Sequence, residues 1–231
     1  MYDSIPENKR ISYGIVHIVK LLSNSIFDIC SEKNIDAFDF AKKLFESSSE
    51  YKSKSVALGI ISNYGLKDYS EVLIYFERSA ISDDWIMREI SQMFFRRLIK
   101  KYPNEMQQFL LKLVKSENPN MRRFVAETLR PVQENKWFYK NPDYSLEILL
   151  HLFKEKSAYP RTAVGNNLSD LSRHLPNLIK KIVSELVESG DKNSYWIAYR
   201  ACRNMVKKNP VEIMKLLKTN DYKYKDRDYK V

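Results

Sequence analysis

Apolar residues recur three and four apart through most of this chain, which is the spacing of one helical face. Residues 36–47 carry Ala37, Phe40, Ala41, Leu44 and Phe45 in this way, and residues 68–81 carry Val72, Leu73, Tyr75 and Phe76. A further helix is expected over 51–64, and a helix or helix pair over 11–31, behind a loose polar arm at 1–10. From residue 84 the pattern becomes repetitive. First helices are expected near 84–100, 120–131, 158–173 and 194–207, each followed by a second helix that begins at a proline. The prolines are Pro103, Pro142, Pro176 and Pro210, spaced 39, 34 and 34 residues apart. Proline suits the first helical turn, where its missing N–H costs nothing. After Pro103 the apolar set Met106, Phe109, Leu110 and Leu113 follows directly.

A repeat of this length is the signature of stacked helical hairpins of the HEAT or armadillo type. The expected fold is all-α: a right-handed superhelical stack of about six antiparallel hairpins. It forms one domain over 1–218, followed by a polar, flexible tail at 219–231. One connection, 133–141, is long, polar and aromatic. Only five glycines among 231 residues leave too little turn chemistry for an all-β protein. The two cysteines, Cys30 and Cys202, form neither a metal-binding spacing nor a disulfide framework. The sequence shows no signal peptide and no bilayer-length apolar stretch. A cytoplasmic monomer without metal, cofactor or membrane contact is the expectation.

The net charge of +10 changes the picture. A basic chain often binds nucleic acid, above all when its arginines recur at one structural position. Arg88, Arg122 and Arg161 lie 34 and 39 residues apart in the aligned first helices, with Arg200 near the corresponding place in the next. Stacked repeats would line such residues along one edge, where guanidinium groups can hold a phosphodiester backbone. Pairing with carboxylates of neighbouring repeats explains the same spacing.

No Walker loop, G-x-S-x-G, H-E-x-x-H or Cys/His cluster is present, and His17, His151 and His174 stand singly. Three segments remain as chemical candidates. Trp85, Arg88 and Glu89 share one helical face, either as a ligand surface or as a buried tryptophan beside a surface ion pair. Arg122, Arg123, Glu127 and Arg130 run along adjacent faces ahead of Trp137, either as a phosphate clamp or as an ordinary salt-bridged helix. Val164 to Asp170 places Asn166, Asn167 and Asp170 in mid-helix, where such residues are locally unfavourable. An inter-repeat hydrogen-bond ladder accounts for them equally well.

At these residues the chain resembles the HEAT-like-repeat DNA glycosylases of alkylation repair, the AlkC-like branch more than the AlkD-like. The resemblance rests on Trp85-x-x-Arg88-Glu89, Arg122-Arg123-x-x-x-Glu127-x-x-Arg130-Pro131, Val164-x-Asn166-Asn167-Leu168-x-Asp170, and Trp196-Ile197 with Arg203. It departs at Ala126 and Thr128, where a serine and a glycine are expected, at Thr162, at Tyr199-Arg200, and in the longer stretch before Trp137. The resemblance implies a monofunctional glycosylase that clasps alkylated duplex DNA. Such an enzyme excises cationic N3- or N7-alkylpurines without metal or cofactor, by stabilising an oxocarbenium-like sugar. It also implies Glu89 as the first catalytic carboxylate, Asp170 as the second, and Trp85 as an aromatic neighbour. Arg88, Arg122, Arg123, Arg130 and Arg161 would hold phosphates, and Trp137, Trp196, Asn166, Asn167, Arg200 and Arg203 complete the DNA-binding set. A DNA-binding repeat protein without catalysis and a protein–protein scaffold are the alternatives on the same fold.

Overall fold

The computed structural model describes residues 7–225 and 227–230, so residues 1–6 of the expected arm lie outside the described residues. The chain packs as two compact units, 1–103 and 104–231. The first unit holds α1 (Glu7–Glu32), α2 (Ala37–Ser47), α3 (Tyr51–Gly65), α4 (Leu73–Ala80) and α5 (Trp85–Lys101). Gly14, at φ 41°, breaks α1 into two helical pieces, one of the two forms expected over 11–31, and Glu7 to Arg10, expected as part of a loose arm, are helical. Helix α3 is the hub and packs on α1, α2 and α5. Its residues from Ser55 to Asn63 are buried all round, as befits a helix enclosed by neighbours. On α2 the buried face is Phe38, Ala41 and Phe45, while Phe40 is exposed. Asp36 caps the Phe38 and Asp39 amides, and the Phe38 ring stacks on Tyr64 at 4.4 Å. These contacts turn Phe38, not the expected Phe40, into the core.

The second unit follows the proline period. Helices α6 (Pro103–Leu113), α10 (Pro176–Glu188) and α12 (Pro210–Leu216) each open on a repeat proline, and Pro142 caps α8 (Asp143–Leu149). The alternate row comprises α7 (Pro119–Thr128), α9 (Ala158–Leu171) and α11 (Lys192–Ala201), with α9 packed between the other two. Asn118 caps α7 and Asp191 caps α11 through their side-chain oxygens. Helix α7 stops at Thr128, ahead of Pro131, and the segment Gln133–Tyr139 forms a 3-10 turn. The tail departs from expectation. Strands β1 (Asp221–Tyr224) and β2 (Arg227–Lys230) pair antiparallel, and Tyr222, only 1% exposed, docks on α11. The Tyr222 ring stacks on Tyr199 at 4.1 Å, and its hydroxyl donates to the Tyr199 carbonyl at 2.7 Å. Polar composition hid the hairpin because its one apolar anchor is a tyrosine.

The recurring arginines share one local task. Arg88 donates to the carbonyls of Ser82 and Asp83 at 2.6 and 2.9 Å. Arg122 donates to those of Ser116 and Glu117 at 2.8 and 2.9 Å. Arg161 reaches the Lys156 carbonyl at 3.4 Å. Each folds back over the turn before its own helix. Arg122 also forms a fork with Glu155 of the next repeat (Nε–Oε2 2.6 Å, Nη2–Oε1 3.0 Å), and Arg161 donates to Asn193 at 2.5 Å. Of the two explanations for the spacing, the neighbouring-repeat pairing describes Arg122. Burial opposes the Glu155 charge, but Arg122 and the Ser157 N–H outweigh it and hold its carboxyl below the ordinary value. Its contribution to stability is therefore complete above pH 4.5, the unfolded value, and fades as pH falls through the lower folded value. Glu155→Gln is expected to lower stability at neutral pH and to converge on the parent protein in acid. Urea unfolding followed from pH 7 to pH 3 checks this.

Candidate functional site

The richest side-chain cluster in the second unit is an alternating line of charge. It begins at Arg123, whose Nη2 lies 3.2 Å from Glu127 Oε1 one helical turn on. The other Glu127 oxygen accepts from Arg130 Nη1 at 3.2 Å. Arg130 then crosses to α9, where Nε and Nη2 donate to Asp170 Oδ2 at 2.9 and 2.5 Å. The second Asp170 oxygen faces Arg203 at 3.5 Å and Arg173 at 3.7 Å. Side-chain exposure is 4% at Glu127 and 6% at Asp170, so both carboxylates sit deep in the protein. Burial works against the Arg130 charge, but Glu127 and Asp170 prevail and hold its pKa above the ordinary value.

Sequence makes this line possible. Residues 123, 127 and 130 are neighbours on one helical face, and the last of them falls just past the end of α7, where the side chain is free to turn toward α9. From sequence Glu127 belongs to a candidate segment open to two readings, a phosphate clamp or a salt-bridged helix, and is not one of the expected catalytic carboxylates. Its spacing from Arg123 and Arg130 was visible, but its sharing of Arg130 with Asp170, 40 residues away, was not.

Beyond Asp170 the site turns strongly basic. Asn166 Oδ1 accepts from Arg200 Nε at 2.8 Å and from Arg203 Nη1 at 2.6 Å. Arg203 Nε also donates to Ser169 at 3.0 Å. Burial, then the charge of Arg203, depresses the Arg200 pKa. Trp196 lies beside two guanidinium groups, Arg161 at 4.9 Å and Arg200 at 5.6 Å. Arg123 lies over the Tyr159 ring at 4.1 Å and donates to its carbonyl at 3.1 Å. Four arginines (123, 130, 173 and 203) thus pair with two carboxylates, Arg200 adds a fifth positive charge on Asn166, and a partly sheltered surplus of positive charge attracts an anion.

The remaining expected residues fall in other places. Asn167 is wholly buried and donates to the Ala126 carbonyl at 3.1 Å, tying α9 to α7. It is therefore a packing residue and not the DNA contact expected of it. Trp137 packs against Phe138 and Tyr144 in the 3-10 segment, and its indole N–H is buried without a hydrogen-bond partner. Asn135 fastens that segment to α7 by donating to the Thr128 carbonyl at 2.6 Å. Next to Trp137, Tyr139 lies on His174 at 4.1 Å, and burial followed by the Asp170 charge raises its pKa. Trp85, Arg88 and Glu89 belong to α5 in the first unit. Trp85 is 63% exposed at the start of that helix, and Glu89 is half-buried one turn later.

Gly165 lets α11 approach α9 closely enough for Arg200 to reach Asn166. A Cβ at Gly165 would stand 2.9 Å from Arg200 Cβ and 3.1 Å from its Cγ. Because Arg200 Cβ is fixed to the backbone, rotation cannot relieve that contact. Gly165→Ala is expected to force the helices apart and cost about 1–3 kcal/mol, read as a lowered denaturant midpoint.

A family model for the DNA alkylation repair enzymes matches residues 13–210. The chain belongs to this family. Among curated relatives it is similar to YhaZ of Bacillus subtilis (strain 168), with 23% identity over 200 residues that cover 83% of this chain and 53% of YhaZ. The chain thus spans about half the length of that relative. Among solved structures it is similar to AlkD2 from Streptococcus mutans, with TM-score 0.64 and 23% identity over 80% of this chain and 88% of that one. It is also similar to the alkylpurine DNA glycosylase AlkC of Pseudomonas fluorescens, solved bound to DNA containing an abasic site analog. That match has TM-score 0.65 and 14% identity and covers 93% of this chain and 69% of AlkC. These likenesses establish the all-α helical-repeat fold that the proline period implies. Among the described residues, no helix is long and apolar enough to cross a membrane and no His, Cys, Asp or Glu cluster could hold a metal ion.

Proposed function

We propose that this member of the DNA alkylation repair family binds duplex DNA and excises cationic N3- or N7-alkylpurines, with Asp170 and Glu127 as its carboxylates. The observation that carries the reading is the sharing of Arg130 by two buried carboxylates inside a surplus of arginine. An alkylated purine already carries positive charge and departs readily, so the protein's main task is to stabilise the cationic sugar left behind. A carboxylate does this directly. The phosphates beside the lesion would draw Arg203 and Arg173 toward themselves, which loosens their hold on Asp170 when the sugar turns cationic. Trp196 offers an aromatic face beside Arg161 and Arg200. The structural likeness to AlkC bound to DNA with an abasic site analog supports the reading, since an abasic site is what base release leaves.

Glu89, the carboxylate first assigned from sequence, belongs to α5 in the first unit and takes second place to the pair that shares Arg130. Non-catalytic DNA binding is favoured by one observation, the 6% exposure of the Asp170 side chain beneath its arginines. One assay separates the two readings. Wild-type protein is incubated with methylated duplex DNA, and both binding and the release of 3-methyladenine and 7-methylguanine are measured. Release of free base supports excision, whereas binding without release establishes the non-catalytic reading.

A further inference from the structure

The C-terminal hairpin stands directly beside the basic end of the site. Tyr199 on α11 holds it on both sides. Its hydroxyl accepts from the Lys223 N–H at 2.6 Å, and its carbonyl accepts from the Tyr222 hydroxyl at 2.7 Å. The next residue of α11 is Arg200. Its pKa responds to Tyr224 and Tyr222 as well as to Arg203 and Arg123, so the hairpin and the arginine cluster share one electrostatic environment. Lys207, beyond the end of α11, lies over the Tyr224 ring at 5.2 Å, and Lys225 lies over it at 5.8 Å.

Strand register sorts the hairpin's charges. Lys223 faces Asp228, and Asp221 faces Lys230, so the outward face of the two strands is neutral overall. The tip differs. Tyr224 pairs with Arg227, and Lys225 occupies the turn at φ 55°. Arg227 and Lys225 are exposed, and Lys207 is exposed beside them. Two cations, Lys207 and Lys225, therefore meet over one tyrosine ring, and Arg227 stands opposite it across the strands. With Asp226 between Lys225 and Arg227 in the sequence, the tip and Lys207 together carry a net charge of +2, and a scaffold held by a buried tyrosine and neutral along its flanks presents that charge to a phosphodiester backbone passing across the tip.

We propose that the hairpin tip, formed by Tyr224, Lys225 and Arg227 together with Lys207, is a second backbone-gripping contact that holds duplex DNA flanking the Asp170 site. The inference rests on the nucleic-acid reading above and adds a contact that reading does not require. Each phosphate neutralised contributes about 0.9 to the slope of log affinity against log salt. The test uses the full chain and a short fluorescein-labelled duplex carrying an abasic-site analogue, with affinity measured by anisotropy across a salt series. Lys225→Asn/Arg227→Gln retains a residue tolerant of positive φ in the turn and removes two charges from the tip. Lys223→Gln/Lys230→Gln removes the same formal charge from the neutral flanks. The tip variant is expected to weaken binding about tenfold or more at moderate salt and to flatten the slope by about one to two. The flank variant is expected to stay near wild type in slope. Equal behaviour of the two variants, or a tip variant with the wild-type slope, overturns the hairpin contact while leaving DNA binding intact. A wild-type protein with no salt-dependent affinity for the duplex overturns both the contact and the reading beneath it.

Discussion

Replacing Arg130 with methionine is expected to be the most destabilising single substitution in the second unit. Its guanidinium satisfies Glu127 on one side and Asp170 on the other, and both carboxylates are nearly inaccessible to water. Methionine fills much of the same volume but leaves two buried charges short of their shared cation. Breaking a buried pair by deleting one partner costs about 3–5 kcal/mol. Arginine 123 still pairs with Glu127, and Arg203 and Arg173 still face Asp170, which argues for the lower part of that range. Adding Glu127→Gln and Asp170→Asn to Arg130→Met removes the uncompensated charge, and partial recovery is expected. Chemical denaturation of the single and triple variants measures both effects. A triple variant no more stable than Arg130→Met would show that packing around Arg130, and not charge, sets the cost.

The second large effect concerns chemistry. Asp170→Asn keeps the shape of the side chain and an oxygen for Arg130, but it removes the negative charge that would face a cationic sugar. Loss of such a preorganised group typically lowers a rate on the order of a hundredfold or more. Release of 3-methyladenine from methylated duplex by Asp170→Asn is expected to fall by that factor, with DNA affinity unchanged or slightly raised. The rise follows from leaving Arg203 and Arg173 without their carboxylate and so more available to phosphate. Glu127→Gln should lie between Asp170→Asn and wild type, because Glu127 is the more enclosed of the two. A parallel fall in binding and release would place Asp170 in the folding of the site instead of its chemistry.

The repeat architecture was legible because proline marks helix starts locally. Pro103, Pro176 and Pro210 open α6, α10 and α12, and the apolar set after Pro103 is buried at Met106, Leu110 and Leu113 as its spacing predicts. The roles of the arginines were only half legible. Periodicity located Arg122 and Arg161, but their choice of partner depends on residues 33 and 32 positions away. The same limit hid Glu127. A salt-bridged helix and half of a buried carboxylate pair read identically along one helix, and only Asp170 arriving from α9 separates them. Phe40 and Phe38 illustrate a smaller version of the difficulty. Both fit an apolar stripe on α2, and the stacking partner Tyr64 on another helix decides between them. In the tail, a tyrosine hydroxyl made a buried anchor look like solvent-exposed polarity.

The contacts between successive repeats have a kinetic consequence. In the second unit the side-chain bonds from one repeat to the next span from 32 to 41 residues, Arg161 to Asn193 at one extreme and Asn167 to Ala126 at the other. Loops of similar length carry similar closure entropy, so no one junction within this row is much harder to form than the next. Helix α9 packs between α7 and α11, whereas α11 has α9 on one side and on the other is held by α10, by the hairpin and by the Tyr195 hydroxyl, which donates to the Leu217 carbonyl at 3.1 Å. Unzipping should therefore start at the α11–α12 end and travel inward. Tyr222 then acts as a latch on the sequence of opening: while it stays seated on Tyr199, the basic end of the site is kept out of the first segment to fray.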